Sequence, residues 1–192
     1  MAQADWRLSS CCGTEQIIFR VLCAAYLIAN FFLWNVFIVK PMKLIAVFVH
    51  EMGHAIACWL TCGTVKKIQV ETNEGGVTKY VGGNRCLIIP AGYLGGALCG
   101  GLFVACSGDR IGSTVVAALF VLSMLISLCF APNMTMVLLT LAFIILTSVC
   151  IWLEWWVFSP LLPFVTLYYG VFIGSFSVYD IYGEFYAKLH SP

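Results

Sequence analysis

Six apolar runs, each roughly the length that crosses a lipid bilayer, divide the sequence at 17–39, 42–62, 87–106, 113–130, 134–152 and 161–182. Inside hydrocarbon every backbone N–H and C=O needs an internal partner, which makes helices the default for such runs. The expected fold is an all-α membrane protein: a polytopic bundle of about six transmembrane helices, forming a single membrane-embedded domain over residues 1–192. Composition agrees, with 61% hydrophobic and 10% charged residues, where soluble domains carry about a quarter charged. The lipid bilayer is the partner these runs demand. A formal net charge of +1 without a basic tail points to no nucleic-acid partner.

The second run carries His50-Glu51-Met52-Gly53-His54. Residues four apart on a helix lie nearly above one another, so both imidazoles can turn toward one metal ion. Glu51 falls beside that pair, where a carboxylate can take a proton from water at the metal. This is the H-E-x-x-H spacing of zinc hydrolases. Two histidines packed for structure alone are the competing explanation. The flanks, 44–49 and 55–60, are apolar, and two imidazoles and a carboxylate among them carry a large desolvation cost unless something binds them. The metal site is the better reading.

Taken in order, the chain opens on a short polar segment in which Cys11-Cys12 is either an S-palmitoylation site or an unmodified juxtamembrane pair. The run 17–39 is too long for the apolar part of a signal peptide and lacks a small-residue cleavage site. Pro41, in Lys40-Pro41-Met42-Lys43, is expected to break the helix between the first two spans. Residues 63–84 form the one sizeable polar segment. Ile68 and Val70 alternate there, and Val77 follows a turn at Asn73-Glu74-Gly75-Gly76, which predicts a short cytosolic or re-entrant β-hairpin. The third run, with Gly92, Gly95, Gly96, Gly100 and Gly101, is expected to pack closely on another helix, the metal helix being the first choice. Glu154-Trp155-Trp156 has the look of an interfacial belt. The cysteines within the runs read as small hydrophobes, and Cys62 stands too far along the axis to share an ion with His50. Six spans leave both termini on one side. Arg7, Arg20, Lys66, Lys67, Lys79, Arg85 and Lys188 gather there, so the positive-inside bias makes both termini and the hairpin cytosolic.

A catalytic zinc takes three protein ligands and an open position. Once the acids of tails, loops and the opposite interface are set aside, Asp180 and Glu184 remain for the third. Asp180 lies deeper in the span. It reaches the level of His54, about 12 Å along the helix from Cys62, only if the last helix runs on past Tyr182.

The residues carry a resemblance to the site-2 protease group of intramembrane zinc metalloproteases, in its compact M50B-like branch. It rests on V-F-V-H-E-M-G-H-A (Val47 to Ala55), E-G-G-V-T-K-Y-V-G-G (Glu74 to Gly83), L-I-I-P-A-G-Y-L-G-G (Leu87 to Gly96) and S-V-Y-D-I-Y (Ser177 to Tyr182). The resemblance implies that His50, His54 and Asp180 bind Zn2+ and that Glu51 is the general base. It further implies hydrolysis of peptide bonds of transmembrane protein substrates in or near the bilayer, with the hairpin receiving substrate by strand addition. The last motif departs from the group's pattern, since Ile181 stands where many members have Gly, which here comes at Gly183. No segment between the runs is long enough for an inserted PDZ or CBS domain. Two other classes share these features. One is a catalytically silent scaffold or chaperone of the same fold, against which the intact Glu51 speaks. The other is a metal transporter using His50, His54 and the cysteines, which would call for polar residues along several spans rather than one.

Overall fold

The computed structural model describes the backbone of residues 14–157 and 161–190, and side chains of 17–157, 161–179 and 182. Six helices follow one another among these residues: α1 Thr14–Leu33, α2 Lys40–Leu60, α3 Arg85–Cys106, α4 Arg110–Leu128, α5 Met134–Trp156 and α6 Leu161–His190. Two strands, β1 Thr64–Val70 and β2 Gly76–Val81, form an antiparallel hairpin between α2 and α3. Five helical segments are long and apolar enough to cross a membrane, while the apolar part of α1, Ile17–Leu33, is shorter. The expected all-α membrane bundle with its hairpin is what the chain forms. Cys11-Cys12 lies outside the described residues.

Two boundaries differ from expectation for identifiable reasons. The first run does not stay helical to residue 39. It stops at Leu33, and a 3₁₀ turn at Phe37–Val39 leads into α2. Pro41 falls in the first turn of α2, where the missing N–H costs nothing and the fixed φ favours helix. It starts the metal helix rather than ending the one before. At the other end, α6 runs past the expected end of the last run at Tyr182 and continues to His190.

The hairpin is re-entrant. It leaves the C-terminal end of α2 and runs back along that helix. Thr78 meets Glu51, Gly76 packs on Glu51 and Val47, and Glu74 at the tip pairs with Lys43 at 3.2 Å. Lys43, Val47 and Glu51 are one stripe, four residues apart. From Lys43 to the end of α2 at Leu60 is about 26 Å of helical rise, close to the hydrocarbon thickness of a bilayer. Glu74 holds φ at +67°, a region that side-chain-bearing residues rarely adopt. The ion pair with Lys43, whose ammonium also lies 4.9 Å from the Trp34 ring centre, offsets that cost. β1 is covered: Ile68 N–H donates to the Phe130 carbonyl at 3.0 Å, and the Asn133 amide donates to the Val70 carbonyl at 2.7 Å. Both contacts come from the connection between α4 and α5. Val65, Ile68 and Val70 are all buried. Their odd spacing is reconciled by an irregularity between Val65 and Lys67, a bulge that resets which face each residue takes.

Lipid offers helices no hydrophobic drive to associate, so close contact rests on small residues. The third helix does pack on the metal helix: Gly95 leaves room for the backbone of Gly53 on α2. The same helix also packs on α6, where a Cβ on Gly100 would stand 2.7 to 2.8 Å from the backbone of Gly170 and Gly174. Across the bundle, Arg110 at the start of α4 reaches Glu154 of α5 at 3.3 Å and lies 4.2 Å over the Trp155 ring. Trp34 packs on Phe172, Phe176 and Tyr179 of α6, joining the start of the α2 region to the far half of the last helix. Gly100→Ala should therefore destabilise the bundle by about 1–3 kcal/mol through overpacking. Gly101→Ala, whose added methyl meets nothing within 4 Å, should be neutral or mildly stabilising within about 1 kcal/mol. Thermal unfolding in detergent micelles compares the two.

Candidate metal centre

His50, Glu51 and His54 converge near the middle of α2, with one ligand atom from each within 4.8 Å of the others. Glu51 is buried and both histidines are half-buried. Helical spacing sets the pair, and α3 sets its orientation. Nδ1 of His54 lies 2.7 Å from the carbonyl of Ile88. A carbonyl only accepts, so Nδ1–H donates and the Nε2 lone pair points away, toward Nε2 of His50 at 3.0 Å. Such a backbone bond is the outer-sphere partner that fixes the tautomer of a metal-ligating histidine. The ring of His50 is held edge-on by Tyr93, with centroids 4.6 Å apart.

Space for an ion comes from a missing side chain. A Cβ on Gly92 of α3 would lie 2.5 Å from His50 Nε2 and 2.6 Å from His54 Nε2, against the two nitrogens that face each other. Two nitrogens on a tetrahedral zinc stand about 3.3 Å apart, from bonds of 2.0–2.1 Å. The observed 3.0 Å is within a few tenths of that. Only a proton or a cation can sit between two imidazole nitrogens so disposed, and the donor set, two imidazoles beside a carboxylate, suits a divalent transition metal. The residues fit the ion.

The centre opens on a cleft of about 440 Å³ lined by His50, Glu51, His54, Thr78, Ile88 and Tyr93, among others. β2 forms one wall. Its residues alternate half-buried and exposed along the whole strand, with Gly76 and Thr78 toward α2 and Val77, Lys79 and Val81 outward. Among the described residues the outer edge of β2 has no backbone partner. Irregular or unpaired backbone at membrane depth is tolerated only against protein or against water.

Three of the four expected site residues are brought together. Asp180 lies on α6, its side chain outside the described residues, as is that of Glu184. Sequence reasoning passed over Gly92, Ile88 and Thr78, although all three stand inside motifs it singled out. Thr78 donates to Oε2 of Glu51 at 2.5 Å. Glu74, set aside as a loop acid, lines a second hollow of about 200 Å³ with His50, Glu51, Tyr93 and Phe176. If Gly92 is the space for the ion, Gly92→Ala should abolish metal binding while both histidines remain. Elemental analysis of purified Gly92→Ala beside Gly101→Ala checks this, the second variant keeping the wild-type metal content.

A family model described as Peptidase M50B-like matches residues 23–191. No curated protein and no solved structure matches the chain.

Proposed function

Since the chain belongs to the Peptidase M50B-like family over residues 23–191, we propose that it is an intramembrane zinc metalloprotease, cleaving peptide bonds of transmembrane protein substrates within or near the bilayer. The observation that carries this reading is the juxtaposition of two imidazoles, a buried carboxylate and a space kept open by Gly92, on a cleft walled by β2. Hydrolysis needs these parts together.

His50 and His54 hold the ion through Nε2, and Asp180 completes the set. Support for Asp180 comes from the way α6 passes α3. Gly174 and Gly170 meet Gly100, and Ser177 meets Gly96, so the next turn of this antiparallel pair is level with Gly92 and Tyr93, beside the histidines. Its helix also continues beyond Tyr182, as a third ligand at that depth needs. A zinc ion bound there would supply Lewis acidity toward a scissile carbonyl and lower the pKa of water to near neutral. Glu51 takes the proton from the attacking water and delivers it to the leaving amine. A substrate helix must unwind before cleavage, and the open edge of β2 offers main-chain partners to the extended segment. Lys66, Lys67, Lys79 and Arg85 gather where α2 ends and α3 begins, which supports cytosolic termini by the positive-inside bias.

Purified protein should hold about one zinc per chain, lost on His50→Ala with His54→Ala. Asp180→Ala should weaken zinc by more than the 10–100-fold typical of an outer-sphere loss, whereas Glu184→Ala should stay near wild type. Equal zinc in the wild type and the double histidine variant would remove the centre, and unchanged zinc in Asp180→Ala would remove the third ligand. For the chemistry, Glu51→Gln should keep fold and metal but lose at least about 10²-fold in turnover. Membrane proteomics of cells carrying wild type or Glu51→Gln should show membrane-protein fragments that accumulate with the wild type alone. Identical fragment profiles would sink the protease reading.

A further inference from the structure

The hydroxyl of Thr78 stands 2.5 Å from Oε2 of Glu51 and 3.1 Å from the Glu51 backbone carbonyl. One hydroxyl has one proton to give. A bond to an ionised acceptor is roughly twice as strong as one to a neutral acceptor, and the shorter distance agrees, so the proton goes to the carboxylate. On the same face of β2, a Cβ on Gly76 would run into Oε1 and Cγ of Glu51. Both oxygens of the carboxylate are thus met by β2.

What fixes Thr78 lies away from the metal centre. Thr78 pairs with Ile68, which is fully buried and bonded through its N–H to Phe130. Asn133 holds the end of the same strand, and Lys43 pins the tip through Glu74.

We propose that Thr78 is a positioning residue for Glu51: its hydroxyl fixes the rotation of the carboxylate, so that the strand offering an edge to substrate is also the strand that aims the base. The inference rests on the protease reading, which it deepens. The probe is the substrate precursor identified by the fragment comparison, cleaved in detergent micelles by wild type, Thr78→Val and Thr78→Ser. Thr78→Val should lower kcat by about 10²-fold, the cost of a misplaced group, with KM within about twofold and full zinc. Thr78→Ser should recover kcat to within about fivefold of wild type. Wild-type kcat in Thr78→Val, equal losses in both variants, or loss of zinc along with activity would each overturn it. A second measurement needs neither turnover nor metal. In the metal-free protein, the effects of Thr78→Val and Glu51→Leu on the unfolding midpoint should be non-additive, as for groups in direct contact, and additivity would remove the contact. Should the wild type cleave nothing, the protease reading falls, and this cycle alone upholds or removes the hold of Thr78 on Glu51.

Discussion

Backbone contact between α2 and α3 is the condition on which the rest depends. A Cβ on Gly53 would run into the Ala91 carbonyl, and one on Gly95, a turn further along the same face of α3, would stand 3.1 Å from the Gly53 Cα. Glycine costs up to about 1 kcal/mol per site against alanine in a helix. The contact returns more than packing. At this approach, and no greater one, the Ile88 carbonyl reaches Nδ1 of His54 and Gly92 comes up to the two Nε2 atoms. Helix-packing glycines and site-forming glycines are one set.

The second constraint is the treatment of backbone that is not helical. β1 is paired with β2 on one side and met by Phe130 and Asn133 on the other. The outer edge of β2 has no backbone partner among the described residues, and the strand lines the cleft. An unpaired edge in hydrocarbon would cost several kcal/mol per group, so at membrane depth such an edge calls for protein or water beside it.

Much of this was legible in the sequence where a period or a spacing carried it. Four-residue spacing placed His50 and His54, and the length of the apolar runs gave the bundle. Alternation of Ile68 and Val70 gave the hairpin. Pro41 misled because the same residue that ends one helix is welcome in the first turn of the next, and nothing local says which side of the break it takes. The continuation of α6 past Tyr182 was hidden by polar residues that read as a tail. Gly92 and Thr78 illustrate a different limit. Each stood within a noticed motif, but its significance lies in a partner on another element. Thr78 and Glu51 are 27 residues apart, and strand periodicity says only which face a residue takes, not what it meets.

Strand periodicity has one further effect here. A slip of β2 by a single residue against β1 turns every side chain to the opposite face. Val77 or Lys79 would then confront Glu51 in place of Thr78. The first offers only methyl groups. The second brings an ammonium that would tie up the carboxylate as an ion pair. The bulge between Val65 and Lys67, the turn closed from Glu71 N–H to the Gly75 carbonyl at 2.8 Å, and the Lys43–Glu74 anchor each disfavour that slip. Register thus behaves as a two-position setting for what meets Glu51, held by a turn, a bulge and an ion pair outside the His50–Glu51–His54 cluster.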